Sequence, residues 1–453
     1  MSRSSSLAVI SALLAALVSI MAAYLHQIRE LFQVCPPLAN HGRSLVVLRV
    51  GERDPARSGG MTVELHEWRL WPWRPRLAAE LHEWINIAAG APLGAAAMVE
   101  PPDVFDADGA LLRCAAHAGS GQAVYVAHAG APWQWSPGRV GSRRAVRVRV
   151  AEAEAGSLDG TEGTPEAAWE RVWRAAAASD GASDGVSHHV AEVSLETLSN
   201  SPPIFRARGL LTDELLSQLS RHAAPHWEPS TVGDPMLAGA TEGTSRRVRD
   251  ERRTSRSAWL HGHNDPRRTL PAARAVQRAV FELLRHPPAR LARSVEPLLA
   301  VEYTLGQFYA PHQDFFTAGT GAQPEPAFAP PAGTNRFATA IVYLTDAHDD
   351  SAGGHTLFSH AEPPSDPTAL ADGVTVAGAA GAPTCRFPAP VEGSVGATGM
   401  LVRPRRGDVV VFYNQLPNGT LDGRVRHGAC PVRRGATKRA VNVWVWNREV
   451  IYR

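Results

Sequence analysis

Mostly β, with helices ahead of the sheet, is the fold class the sequence predicts for its C-terminal half. Three observations predict it. Val409-Val410-Val411-Phe412-Tyr413 is a short β-branched and aromatic run, suited to a pleated, packed surface. Lys438 to Trp446 alternates, putting Lys438, Ala440, Asn442, Trp444 and Trp446 on one face and Arg439, Val441, Val443 and Val445 on the other. Upstream, Thr212-Asp-Glu-Leu-Leu-Ser-Gln-Leu-Ser opens with a cap residue and early acids and gathers its leucines on one side, and Leu270 to Leu284 is a second amphipathic helix.

The elements in front of that half are of other kinds. A length of 453 residues suggests two to three domains, and 44% hydrophobic with 20% charged residues supplies a good core. The 39 glycines and 35 prolines imply long loops. A formal charge of +2 excludes a nucleic-acid binder driven by bulk charge. Leu7 to Leu25 is broken only by Ser11 and Ser19. As a helix it would be roughly 28 Å long, close to a bilayer's hydrocarbon core, so residues 1–30 read as a signal anchor. A cleaved signal peptide, with Met21-Ala22-Ala23 at its cleavage site, is the rival. Either sends the chain into the secretory pathway, to the lumenal side of the endoplasmic reticulum or Golgi membrane or to secretion.

Residues 40–150 carry short apolar runs, Ser44 to Val50 and the alternating Ala145 to Val150, with tryptophans at 68, 71, 73, 84, 133 and 135. Core filling explains these better than an aromatic binding face, and His66 and His82 have no companion ligand set. Residues 151–196 are low in complexity and read as a linker with one helix beginning at Thr164-Pro165-Glu166. A last segment, 197–449, then holds the predicted helices and strands. Cys35, Cys114, Cys385 and Cys430 allow three pairings, and Asn418-Gly-Thr420 is a sequon usable in a lumen. Thr317 to Gly333 and Ala361 to Gly399 are proline- and glycine-rich insertions, lids or disordered segments.

The chemistry concentrates at His312 and Asp314. Residues two apart on a strand share a face, so imidazole and carboxylate can close on one ion. His-x-Asp occurs three times, also at His263/Asp265 before Pro266 and at His348/Asp350 in a polar run, both of which read as turns. Only His312 follows an apolar, aromatic segment, Leu298 to Tyr309. A second histidine, His427, lies beyond the Val409–Tyr413 strand and a polar loop, and two histidines with one carboxylate suit non-haem Fe(II). Three protein ligands leave room for a bidentate 2-oxo acid and dioxygen, and the acid's far carboxylate needs a cation. Lys438, eleven residues after His427, is a plausible one. Arg439 has the wrong strand parity, and Arg433 and Arg434 lie in the turn before Gly435.

From about Leu198 to Asn447 the chain resembles the catalytic domain of the 2-oxoglutarate- and Fe(II)-dependent prolyl 4-hydroxylases, closest in flavour to plant and algal enzymes. The matching words are Arg253-Thr-Ser, Tyr303-x-x-Gly-Gln-x-Tyr-x-Pro-His-x-Asp314, Asn335 to Asp346, Gly353-Gly-His-Thr-Leu-Phe358, Pro404-x-x-Gly-Asp408, His427-x-x-Cys-Pro-Val432 and the Lys438 to Trp444 strand. The resemblance implies a double-stranded β-helix, or jelly roll. It implies Fe(II) on His312, Asp314 and His427, and 2-oxoglutarate held by Lys438 with Tyr303 and Thr339 as hydrogen-bond partners. A peptide groove lined by Arg253, Arg336 and Trp444 follows, with dioxygen as co-substrate and ascorbate as an auxiliary reductant. The implied activity is hydroxylation of peptidyl proline with release of succinate and carbon dioxide. Two departures stand out: the family's Gly-Gly-Glu-Thr is Gly353-Gly354-His355-Thr356, and a common histidine two residues beyond Trp444 is Trp446. They leave open another 2-oxoglutarate oxygenase, acting on a different residue or a small molecule. A non-catalytic proline-rich peptide binder is the third reading.

Overall fold

The computed structural model describes residues 44–49, 61–64, 103–109, 123–127, 132–151, 188–233, 247–248, 251–260, 270–286, 294–317, 334–364, 370–388, 399–417 and 419–448. The chain divides into two units, residues 1–131 and 132–453. In the first, β1 (Ser44–Arg49), β2 (Met61–Glu64), β3 (Asp103–Phe105) and β4 (Ala123–Ala127) form a four-stranded sheet ordered β2-β1-β4-β3. The Leu7 to Leu25 segment, Trp68, Trp71, Trp73, Trp84, Cys35 and Cys114 lie outside the described residues, as do His263/Asp265 and Thr164 to Trp173.

The second unit begins earlier than the sequence suggests. Trp133 and Trp135 are buried edge to face at 5.6 Å, and Trp135 donates its indole N–H to Leu283 O at 2.8 Å. Strand β5 (Arg143–Ala151) buries Val146, Val148 and Val150 and exposes Arg147 and Arg149, the alternation read from its sequence. Its partner is β6 (His188–Asn200), paired along the whole of β5. The expected linker over 151–196 is corrected here, because its last nine residues are strand. Low-complexity flanks hide that strand in the sequence, and what fixes it is its pairing with β5, from Arg143 opposite Glu196 to Ala151 opposite His188.

Then follow β7 (Pro203–Arg208), helix α1 (Asp213–Ala223), β8 (Glu228–Pro229), β9 (Val232–Gly233), β10 (Arg247–Val248), β11 (Arg256–Trp259) and helix α2 (Pro271–Leu283). Thr212 caps α1 by accepting from Leu215 N, as its cap-plus-acid start predicts. The remaining strands are β12 (Leu299–Tyr303), β13 (Tyr309–His312), β14 (Arg336–Tyr343), β15 (Thr356–Phe358), β16 (Val374–Val376), β17 (Met400–Val402), β18 (Val409–Tyr413), β19 (His427–Ala429) and β20 (Lys438–Trp446).

Nine strands make the major sheet, in the order β5-β6-β7-β18-β14-β20-β12-β11-β8, and five make the minor one, β13-β19-β15-β17-β16. Between them lies a core that includes Tyr303, Ile341, Phe358, Val402, Phe412 and Trp444, the inward residues of alternating strands. Two antiparallel sheets enclosing such a core are the jelly roll expected for this half. Helix α2 lies against β5 and β20.

The insertion Ala361 to Gly399, expected as a lid or disorder, contributes β16 to the minor sheet in its described part. Phe387 packs on Phe308, and Cys385 is disulfide-bonded to Cys430 next to β19. Among the described residues no helix is long and apolar enough to cross a membrane.

Candidate metal centre and its surroundings

The minor sheet brings the two histidines together. His312 ends β13 and His427 begins β19, and the antiparallel register pairs them directly. That pairing requires close strands, which Gly428 permits: a Cβ there would meet Tyr309 O at 2.8 Å and Pro311 N at 3.0 Å. Asp314 follows His312 past the strand end. Ligand atoms of His312, Asp314 and His427 all lie within 4.8 Å of one another.

Their hydrogen bonds fix the ring states. His312 Nδ1 lies 2.9 Å from Ala310 O and His427 Nδ1 3.0 Å from Val425 O. A carbonyl only accepts, so each Nδ1 carries a proton, and in the neutral ring Nε2 is the nitrogen left to ligate. His312 Nε2 then faces Asp314 Oδ1 at 3.6 Å, and His427 Nε2 faces Asp314 Oδ2 at 3.6 Å. Three acceptors converge with no donor between them, an arrangement that repels itself until a cation sits in the middle. Burial pushes the His427 imidazole down to about 4, so it is neutral and free to ligate at physiological pH. Burial alone raises the Asp314 carboxyl, but His427 and His312, in whatever fraction is protonated, and the Arg336 guanidinium more than offset this and lower it below the ordinary carboxylate range. One carboxylate and two imidazoles are the donor set that suits Fe(II).

Lys438 is the second charged feature. It is buried at 6% exposure and donates to Thr356 Oγ1 at 3.1 Å, which lies 2.7 Å from Tyr343 OH. Its ammonium is 5.6 Å from the Tyr303 ring centre, and no carboxylate pairs with it among the described residues. Desolvation alone pushes it down to about 7. Gly354 clears room for its stem, since a Cβ there would touch Lys438 Cβ at 3.4 Å. Arg439, on the other face, is half exposed and bonds Glu302 Oε2 at 2.8 Å. An uncompensated buried cation awaits an anion, and a dicarboxylate spanning from the triad would supply one.

The other sequence-predicted residues fall as follows. Tyr303 is buried near Lys438, its phenol pushed up to about 12 by burial. Thr339, expected on the oxo acid, instead donates to Asp314 Oδ2 at 2.8 Å. The hydroxyl beside Lys438 belongs to Thr356, which sequence reasoning passed over; it sits in the quoted Gly353-Gly-His-Thr word, and that was the available signal. Arg253 lies 4.6 Å over the Tyr309 ring, and Tyr309 stacks on His312 at 3.7 Å. Arg336 is committed: it grips both carboxylate oxygens of Glu296 at 2.6 and 2.7 Å, donates to Asp314 O at 3.0 Å, and lies 3.8 Å over the Trp444 ring. Trp444 is buried against Trp259, and its indole N–H has no partner among the described residues.

The two departures have structural homes. His355 is buried and pairs with Asp350 Oδ1 at 3.2 Å. Trp446 is fully buried, stacks on Phe316 and donates to Glu296 Oε1 at 2.9 Å. His348 and Asp349 lie in a turn, where Asp349 accepts from Ser351 N and Ala352 N.

Residues 298–446, about a third of the chain, match the model of the 2OG-Fe(II) oxygenase superfamily, and this matched segment carries His312, Asp314, His427 and Lys438. Within that class its relatives are prolyl 4-hydroxylases. The chain is 29% identical over 240 residues to a probable prolyl 4-hydroxylase 3 of Arabidopsis thaliana, covering 53% of this chain and 68% of that protein. It is 27% identical over 250 residues to the prolyl 4-hydroxylase subunit alpha-1 of Mus musculus, covering 55% of this chain and 34% of the mouse subunit. Among solved structures it is similar to the viral collagen prolyl hydroxylase of Paramecium Bursaria Chlorella virus-1 in complex with 2OG, at 18% identity and a TM-score of 0.30, covering 54% of this chain and 95% of that one.

Proposed function

We propose that the protein hydroxylates the 4-position of peptidyl proline, using Fe(II), 2-oxoglutarate and dioxygen and releasing succinate and carbon dioxide. The observation that carries the reading is the pairing of a buried two-histidine, one-aspartate cluster with a buried lysine that lacks a counter-charge. Bound Fe(II) supplies activation of dioxygen through decarboxylation of the oxo acid. His312, Asp314 and His427 would hold the metal. Lys438, with Thr356 beside it and Tyr303 close by, would hold the far carboxylate and so orient the acid's reactive end toward the metal. Packed walls of Phe358, Phe412 and Trp444 keep bulk water from that space.

Peptidyl proline as substrate is supported by the names of the relatives and by the aromatic side chains around the triad. Tyr309, Phe315, Phe316 and Trp259 are partly buried faces of the kind that dock extended proline-rich chains. Arg253 and Trp444 would contact the peptide. We further infer a lumenal site of action, with the Cys385–Cys430 bond as support for an oxidising compartment and Leu7 to Leu25 as the membrane anchor. Ascorbate would serve there as the auxiliary reductant. The test is succinate release with and without a proline-rich peptide. Release that rises at least tenfold with peptide is the expected result; release indifferent to peptide contradicts the peptide reading and leaves a different oxygenase substrate.

A further inference from the structure

We propose that Thr339 and Asn414 form a positioning relay for the metal-binding carboxylate, not a contact to the oxo acid. The inference rests on the oxygenase reading above. Thr339 is buried at mid-strand in β14, and its Oγ1 lies 2.8 Å from Asp314 Oδ2. Asn414, also fully buried, follows directly on β18 and donates from Nδ2 to the same Oγ1 at 3.0 Å. A hydroxyl has one proton. Because Asn414 donates to Oγ1, that proton is free to go to Asp314. Reversing the amide would leave the hydroxyl between two acceptors with one proton for both. The two bonds therefore give the hydroxyl a fixed direction, and a hydrogen bond to an ionised carboxylate is among the stronger kinds.

The relay also ties the two halves of the site. Asn414 O accepts from Asp422 N at 2.9 Å, Asp422 opens the turn that ends at Val425, and Val425 O orients the His427 ring. Asp314 sits just past β13 in the minor sheet, whereas Thr339 stands on β14 of the major one and Asn414 directly follows the adjacent β18, its N–H donating to Phe337 O at 2.7 Å. The carboxylate is thus referred to the rigid sheet and not to the loop that begins at Phe315. Its Oδ2 accepts from Thr339, so the carboxylate has a preset rotation before any ion arrives.

The test uses the full chain, stripped of metal and titrated with Co(II), whose visible spectrum reports ligand geometry. Partners of this kind are worth about 10- to 100-fold in metal affinity. Thr339→Val should weaken Co(II) binding by about that factor and alter the spectrum, while the KM for 2-oxoglutarate at saturating metal moves less than about twofold. Thr339→Ser should restore both, and Asn414→Ala should show a smaller loss. Thermal melting of the metal-free variants separates a general packing defect, which Thr339→Ser would not share. Unchanged Co(II) affinity in Thr339→Val with a raised 2-oxoglutarate KM overturns the relay and returns Thr339 to the oxo acid. A wild-type chain that takes no Co(II) refutes the oxygenase reading as well; wild-type binding matched by Thr339→Val refutes only the relay.

Discussion

Lys438 shows at the scale of one residue how function opposes stability. Its ammonium, pushed down to about 7 by burial, is protonated more fully in the unfolded chain, where the value is about 10.4. The unfolded state therefore binds more protons between those values, and stability rises with pH across that window. The penalty is full below about pH 7 and relieved as pH approaches 10. Lys438→Met should accordingly stabilise the ligand-free protein at about pH 6, by roughly 1–3 kcal/mol in a denaturant titration, while lowering 2-oxoglutarate affinity at least 100-fold. Lys438→Arg should rescue binding only in part, because a planar fork does not replace a compact point charge. In the wild type, oxo-acid affinity should fall up to about tenfold per pH unit above 7, with one proton taken up on binding, as calorimetry in buffers of different ionisation heat would show. Parity within β20 made this side of the lysine legible in the sequence. Thr356 and Asn414 were not legible in their roles: each acts on a residue more than 70 positions away, and no local period reports that.

At the scale of elements, the site depends on how closely β13 and β19 approach. Gly428 does not adopt a positive φ, so its requirement is for space alone. Gly428→Ala should push β19 off β13, separate His427 from His312 and reduce turnover by about 10-fold or more. Iron titration would show weaker binding, and a variant with unchanged affinity would mean that the strands can part without cost. The insertion that carries β16 is the other such element. Val374 to Val376 is too short, and too flanked by glycine, for alternation to announce a strand; its partner β17 lies across a long loop. Its disulfide closes a separation of 45 residues, so Cys385→Ser/Cys430→Ser should lose roughly 2–5 kcal/mol in urea unfolding.

At the scale of the whole molecule, the unit that holds His312, Asp314 and His427 spans residues 132–453, and the sequence set its start too late. The Fe(II) motif words and long alternating strands near the C-terminus were readable because each carries its chemistry within a dozen residues. The edge strand β5 and its neighbour β6 were not assigned to this half, since their pairing bridges low-complexity sequence. A chain beginning at Pro132 should keep its fold and turnover. One beginning at Leu198 should not, because it removes β5, most of β6 and the buried Trp133 and Trp135. Circular dichroism melting of the two truncations checks this.

The most direct measurement of the central claim follows the oxygen. The full chain is incubated with Fe(II), 2-oxoglutarate and a proline-rich peptide under isotopically labelled dioxygen. The peptide is then sequenced by mass spectrometry, and the position on the ring is assigned by NMR. One labelled oxygen on C4 of a prolyl ring and one in succinate, both lost in Asp314→Ala, is the predicted result. Labelled succinate with an unaltered peptide, or a peptide oxygen drawn from water, would contradict it.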